Sequence, residues 1–351
     1  MKEDYNLPPG LINSSKKNLH YYYDNNDFNH DLYLKYTDEE LYNVCYINSS
    51  IQCLFHLKKF VNFIMNNEHS KSLLNSTQKL LYDMIENKKK NLSVKEIKME
   101  MGKKDERYRY NSQEDANEFI SNYLDFLREE TSNKNIPIER AKNPINLETQ
   151  LLRSAYEKFY NKFFERRGYS GLLDLFYGIY ITKRFCKCGF SSVKFSAFNM
   201  IELPIYELAK GYKSCLKLND IMDSYFSKSR IYGATCGKCE KGEIYTKTSI
   251  YKLPDNLIIF FGRTANDEYI NIPIKYSEYL ELNKSWFDNS DSVDNTYFLS
   301  GIIHYISFGE KIGHYTASCR VNDKWYYFDD TWVSPKKVNQ NEIILFYEIS
   351  K

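Results

Sequence analysis

The chain has 351 residues and a formal net charge of +2, with 48 lysines and arginines against 46 aspartates and glutamates. That balance argues against a protein whose main work is to coat nucleic acid or an anionic membrane. The length suffices for one large domain or two or three ordinary ones, with ample core. The 32 tyrosines, beside abundant Asn and Lys, read as compositional bias rather than a functional signal. No apolar run approaches the roughly 18–20 residues that cross a bilayer. Met1 to Pro9 is charged and contains proline, without an apolar signal-peptide core. A cytoplasmic or nuclear location is the expectation, with no membrane and no nucleic acid as partner.

Residues 14–42 are rich in Asn, Asp, Tyr and Lys with little periodicity, and read as a loop or poorly ordered insertion. From Cys45 to about Thr131 the patterning is helical. The first helix starts at N-V-C-Y-I-N-S-S-I-Q-C-L-F-H, Asn43 to His56. Ile47, Ile51, Leu54 and Phe55 fall towards one face, and Asn43 suits an N-cap. Cys45 then lies in the first turn, where free amides and the helix dipole favour a thiolate. Further helices are expected over Leu73–Ile85 and Asp115–Leu127. After a linker at 132–147, another stretch carries Leu151, Leu152, Tyr156 and Phe159.

Beyond Leu172 the segments F-Y-G-I-Y-I-T, S-V-K-F-S-A-F and L-I-I-F-F are β-rich, with Gly and Pro between them. Two close cysteine pairs lie here. Cys236-Gly-Lys-Cys239 is a C-x-x-C knuckle, and Cys186-Lys-Cys188 is a tighter C-x-C followed by Gly189. Together they offer four thiolates to one tetrahedral Zn²⁺, a closed and therefore structural site. No thioredoxin-like βαβ pattern surrounds them, which disfavours a redox role.

The final third reads as an antiparallel sheet. His314 sits on a strand after a loop flanked by Gly309 and Gly313. The turn Val321–Lys324 allows Ser318–Val321 to pair with Trp325–Phe328, which returns Asp329 beside His314. A carboxylate that orients an imidazole able to deprotonate a thiol is triad chemistry, here Cys45, His314 and Asp329. Asp330 is a second carboxylate for solvent or backbone. The layout is α+β.

In order along the chain these segments resemble the ubiquitin-specific proteases, papain-like cysteine peptidases that cleave after the C-terminal glycine of ubiquitin. N-V-C-Y-I-N-S-S-I-Q-C-L-F-H resembles the family's cysteine box, and N-S-Q-E-D-A-N-E-F-I-S-N-Y-L-D-F-L its Gln-Asp-Ala-x-Glu-Phe segment. F-Y-G-I-Y-I-T-K-R-F-C-K-C-G-F-S-S and T-C-G-K-C resemble the halves of its zinc ribbon. S-I-Y-K-L-P-D-N-L-I-I-F resembles the strand before the palm, and G-H-Y-T-A with W-Y-Y-F-D-D its histidine box.

The resemblance implies one catalytic domain over 1–351. It would have an N-terminal segment at 1–44, a helical thumb at 45–170, zinc-tipped fingers at 171–250 and a β palm at 251–351. It implies Cys186, Cys188, Cys236 and Cys239 as zinc ligands. Gln113, Asp115, Glu118, Gly313 and Tyr315 would line the path of the ubiquitin tail, whose arginines suit carboxylates. Ubiquitin and ubiquitinated proteins are the expected partners of a monomer.

One departure stands out. The family reads G-L-x-N-x-G-N-x-C, with an Asn that donates to the oxyanion; here Glu40 and Tyr42 occupy the Asn and second Gly positions. P-P-G-L-I-N at Pro8–Asn13 resembles the missing half, so the expectation is that 14–42 splits the box and Asn13 is the donor. Losing one such donor costs about 10²–10³ in rate. The alternatives are a weakly active or inactive ubiquitin-binding scaffold of this fold, or a zinc-ribbon nucleic-acid module. Intact Cys45, His314 and Asp329 weigh against the scaffold. The near-neutral charge weighs against the nucleic-acid module.

Overall fold

Asn43 enters the first helix from left-handed backbone, with φ at 56°. Few side chains tolerate that region, and Asn is among them because its short amide bonds locally. The computed structural model describes residues 43–351, apart from 69–70, 86–91, 134–149, 166–167, 210–214, 242, 266–267, 289–295, 310–311, 331 and 351. Asn13, Glu40, Tyr42 and the insertion at 14–42 lie outside the described residues. The chain divides into two compact units. One runs up to Thr131 and adds Arg263–Asn271 and Leu299–Tyr347; the other holds Ser132–Gly262, Ile272–Phe298 and Glu348–Lys351.

The first unit opens with α1 (Cys45–Leu54), α2 (Lys58–Met65), α3 (Ser72–Ile85), α4 (Lys95–Lys104) and α5 (Ala116–Glu130). All ten residues of α1 are buried, including Ser49, Ser50 and Gln52. The expected apolar face is therefore only part of the account, because the helix is enclosed on every side. The serines survive burial by bonding back to the Tyr46 carbonyl, at 3.3 Å for Ser49 and 2.6 Å for Ser50. The N-cap is Val44, and no side chain caps the helix. Asn43 is not the cap. Its amide nitrogen donates instead to the Asn111 carbonyl at 2.8 Å. Lys98, buried on α4, donates at 2.8 Å to both the Tyr110 carbonyl and Asn111 Oδ1. A three-residue chain of bonds thus ties the entry to α1 onto α4 and the segment after it.

The second unit follows with α6 (Gln150–Tyr160), α7 (Leu172–Phe176), β1 (Gly178–Cys186), β2 (Ser191–Phe198), β3 (Ser229–Ile231) and β4 (Ile244–Lys252). The four strands form an antiparallel sheet in the order β2-β1-β4-β3. Tyr156 of α6 meets Phe195 of β2 edge-on at 5.3 Å and Tyr251 of β4 at 5.7 Å, an aromatic core for this sheet.

The chain returns to the first unit with β5 (Thr296–Gly309, from Leu299 onward), β6 (Ile312–Val321), β7 (Lys324–Asp329), β8 (Trp332–Ser334) and β9 (Glu342–Ile349, up to Tyr347). Their order is β8-β7-β6-β5-β9. The β6–β7 hairpin has the register expected from sequence, with Val321 opposite Lys324 and Ser318 opposite Tyr327. Its two-residue turn holds Asn322 and Asp323 at φ 45° and 63°. That is the left-handed pair a twisted hairpin requires, and Asn and Asp accept it best after glycine. Cys53 of α1 and Cys319 of β6 meet in the core with sulfurs 3.8 Å apart. Among the described residues no helix is long and apolar enough to cross a membrane.

Candidate active site and metal centre

Cys45 is the first residue of α1 and is 8% exposed. The amides of Ile47 and Asn48 both bond the Val44 carbonyl at 2.9 Å. Those of Cys45 and Tyr46 precede the first helical bond and stay out of the helix ladder. They supply N–H groups at the positive end of the helix dipole.

His314 lies near the start of β6, and its Nε2–H donates to Asp329 Oδ1 at 2.7 Å. That bond fixes the tautomer and leaves Nδ1 for the Cys45 thiol, with which the ring hydrogen-bonds. The sulfur is the main reason that the imidazole is held up to about 9. Burial opposes the rise, and Asp329 and the charge of Asp330 add to it. The sulfur therefore favours the imidazolium, a proton donor held beside a thiol nucleophile.

Asp330 follows on left-handed backbone, φ 45°, which turns its carboxylate back towards α1. There it accepts from Asn48 Nδ2 at 2.8 Å. Burial raises its affinity for a proton, and the Asn48 bond counters that. Asn48 is a site residue that motif reading passed over. Its signal was its place three residues after Cys45, on the same side of the helix.

Four of the five residues expected to guide a tail, Gln113, Asp115, Gly313 and Tyr315, meet at the start of β6. Gln113 Oε1 accepts from the Gly313 amide at 3.1 Å, and the buried Tyr315 hydroxyl donates to Asp115 Oδ1 at 3.2 Å. These bonds fasten the segment before α5 to the histidine strand across 200 residues of chain. Glu118 is ion-paired with Arg107, which also grips Asp105 through Nη2 at 2.7 Å. Gly313 is required by close packing, since a Cβ there would come within 2.2–2.3 Å of the Tyr305 ring. Tyr305 in turn lies tilted against Tyr315, with ring centres 4.7 Å apart.

In the second unit, Cys186, Cys188, Cys236 and Cys239 gather their sulfurs within 4.8 Å of one another. Cys186 to Cys239 is 3.7 Å and Cys188 to Cys236 is 3.6 Å. A disulfide needs about 2.05 Å, whereas a tetrahedron with Zn–S bonds of about 2.3 Å has edges near 3.8 Å. The donor set fits a single Zn²⁺. The two knuckles are built alike. Each closes with an amide returning to the first cysteine's carbonyl, Gly189 at 3.0 Å and Glu240 at 2.8 Å. Each puts the residue after its last cysteine in left-handed backbone, Gly189 at φ 85° and Glu240 at φ 56°. The Lys238 amide donates to Cys236 Sγ at 3.5 Å and draws that thiol down, while burial and the neighbouring sulfurs push the Cys186 thiol up.

Residues 37–347 match the ubiquitin carboxyl-terminal hydrolase family, UCH. The chain belongs to that family. The resemblance to ubiquitin-specific proteases drawn from the motifs is thereby borne out. Among curated hydrolases, ubiquitin carboxyl-terminal hydrolase 4 of Vanderwaltozyma polyspora is 27% identical over 88% of this chain and 40% of its own length. Usp2 of Drosophila melanogaster is 27% identical over 87% of this chain and 34% of its own. Ubiquitin carboxyl-terminal hydrolase 2 of Homo sapiens is 25% identical over 88% and 54%. The chain thus spans from a third to about half the length of these hydrolases. A chain of the SAGA DUB module Ubp8/Sgf11/Sus1/Sgf73 bound to monoubiquitin superimposes with a TM-score of 0.66 and 19% identity. The match covers 89% of this chain and 68% of that one. The α+β, papain-like fold expected from sequence is therefore the fold of the UCH domain.

Proposed function

We propose that the chain is a cysteine deubiquitinase, hydrolysing the peptide or isopeptide bond after the C-terminal glycine of ubiquitin. The observation that carries this is the continuous chain of bonds from the Cys45 thiol through His314 to Asp329. The relatives, ubiquitin carboxyl-terminal hydrolases, and the monoubiquitin bound to the structural neighbour support the same substrate.

In this reading the Cys45 thiolate attacks the carbonyl of the last glycine, and its sulfur forms the thioester. His314 gives its proton to the departing lysine amine. A water then loses a proton to His314 and attacks the thioester, releasing the ubiquitin carboxylate and restoring the thiol. Asp329 holds the ring so that Nδ1 faces sulfur throughout. The unused amides at the start of α1 suit the oxyanion. Asn13 is proposed as a further donor, tested by Asn13→Ala against Glu40→Ala kinetics; an unchanged rate in Asn13→Ala removes it. Gln113 and Asp115 are proposed to border the tail channel. Glu118 reaches a tail arginine by exchanging it for Arg107. Zinc on the four cysteines would hold the ends of β1 and β4 as a structural clamp, and no step passes through it.

A ubiquitin carrying a C-terminal electrophile tests the reading. Covalent labelling of the chain, abolished in Cys45→Ala, is the expected result. Binding without labelling would instead make the chain a ubiquitin scaffold, and neither would reject the substrate.

A further inference from the structure

The sheet face that carries His314 and Asp329 also carries His304, Thr316, Ser318 and Tyr327. The register sets His304 opposite Thr316 and Ser318 opposite Tyr327, and alternation along each strand does the rest. Over this face the segment 336–341 borders an open cavity of about 430 Å³, floored by His304, Ile306, Thr316 and Tyr327. The segment is bonded in place. His304 Nδ1–H donates to the Gln340 carbonyl at 2.8 Å, Ser318 Oγ donates to His304 Nε2 at 2.9 Å, and the Val338 amide reaches Ser318 Oγ at 3.4 Å. Burial drives His304 down to about 4, so at neutral pH it is an uncharged strut.

Among the described residues the charge lining this cavity has one sign: Lys336 and Lys337 line it with the amides of Asn339, Gln340 and Asn341, and no carboxylate does. Lys336 Nζ stands 5.0 Å from the centre of the Tyr327 ring and 5.4 Å from that of Trp332. Lys337 Nζ stands 4.6 Å over Trp325. Trp332 is 58% exposed although large and apolar, and it pairs directly with Asp329. Lysines over aromatic faces beside an exposed tryptophan form a cationic, amphipathic rim adjoining the dyad. The carboxylates on the neighbouring strand end are engaged, Asp329 by His314 and Asp330 by Asn48.

The opposite face of β6 holds Tyr315, bonded to Asp115, and it is the side to which the reading above assigns the ubiquitin tail. The cavity face is left for what lies beyond the scissile bond. We propose that this cavity and its Trp332 rim dock an acidic stretch of the polypeptide that carries the scissile lysine. The proposal rests on the deubiquitinase reading, and it makes the leaving-group side selective for negatively charged targets.

Two measurements separate the two ideas. In the first, the full chain is titrated into a fluorescein-labelled Asp/Glu-rich peptide and its Asn/Gln counterpart, and anisotropy is read. The acidic peptide should bind more tightly, should weaken with added salt, and should lose its advantage in Lys336→Glu/Lys337→Glu. A Lys336→Gln/Lys337→Gln variant guards against misfolding of the charge reversal. In the second, ubiquitin is joined by isopeptide bonds to the same peptides. The acidic conjugate should show a KM lower by about three- to tenfold, as exposed charge pairs allow, and a kcat/KM ratio that falls to about one in the lysine variants. Equal binding of both peptides by the wild-type chain overturns the docking site, whatever the enzyme cleaves. Acidic-selective binding with no cleavage of any conjugate supports the cavity and rejects the hydrolase reading.

Discussion

His314 Nε2 and Asp329 Oδ1 lie 2.7 Å apart, which commits that nitrogen to the carboxylate and the other to the Cys45 sulfur. With the ring held up to about 9, activity on a small ubiquitin-derived substrate should fall on the alkaline side near that pH, as the imidazolium that protonates the leaving amine is lost. In Asp329→Asn the alkaline limb should move down towards the ordinary value of 6.5, with kcat/KM lower by roughly 10²-fold or more. The same shift has a sign in stability. The folded value exceeds the unfolded one, so the contribution is complete below 6.5 and disappears as pH rises through about 9. A pH–rate profile unmoved by Asp329→Asn would contradict the assignment.

Gly313→Ala should damage catalysis more than folding. The added methyl would meet the Tyr305 ring at 2.2–2.3 Å, and that ring is braced by Tyr315 and by Tyr269, 5.6 Å away. Overpacking of this kind costs about 1–3 kcal/mol, spent here next to His314. A double-mutant cycle with Tyr305→Ala should recover part of the lost rate. Simple additivity of the two losses would argue that the clash is relieved elsewhere.

Asn43 offers a test of backbone against side chain. Alanine there should lose both the tolerance of φ 56° and the bond to Asn111, together about 1.5–3.5 kcal/mol. Glycine should lose only the bond, about 0.5–1.5 kcal/mol. Urea denaturation of the three proteins ranks them Asn, Gly, Ala; Ala at least as stable as Gly would contradict the left-handed assignment.

Zinc analysis should find one ion per chain. Removal by a chelator, or Cys188→Ser or Cys236→Ser, should loosen the β1 and β4 ends and lower the melting temperature. Glu240→Gly should stabilise by up to about 1 kcal/mol, because φ 56° strains glutamate and not glycine. Full thermal stability of the metal-free protein would show that the cluster is not a clamp.

His304 and His56 are buried, and burial holds both down to about 4. The unfolded chain binds those protons near 6.5, so stability should be complete above that value and fall as pH drops towards 4. His304→Gln should flatten part of this acid slope while costing stability at pH 7 through the lost strut. An unchanged slope in that variant would mean His304 titrates in the folded chain.

What the sequence made legible was local. The cysteine knuckles are read from spacing of two and three residues, and the β6–β7 hairpin from a turn of two. His314 beside Asp329 follows from that register alone. Longer-range facts were not readable. Asn43 looks like a cap, yet its amide goes to Asn111, 68 residues away. Asn48 reaches Asp330 across 282 residues, and the Gly313 requirement comes from the Tyr305 ring on the neighbouring strand. The all-round burial of α1 was hidden too, because its serines are polar by type and are satisfied within the helix.

That enclosure of α1 bears on regulation. Its amides should be among the slowest in the first unit to exchange with deuterium, since no side of the helix meets solvent. A nucleophile mounted on the least deformable segment has little positional freedom to modulate. Any on–off control of the sulfur therefore falls to its partners, the imidazole of His314 and the carboxylates of Asp329 and Asp330 behind it.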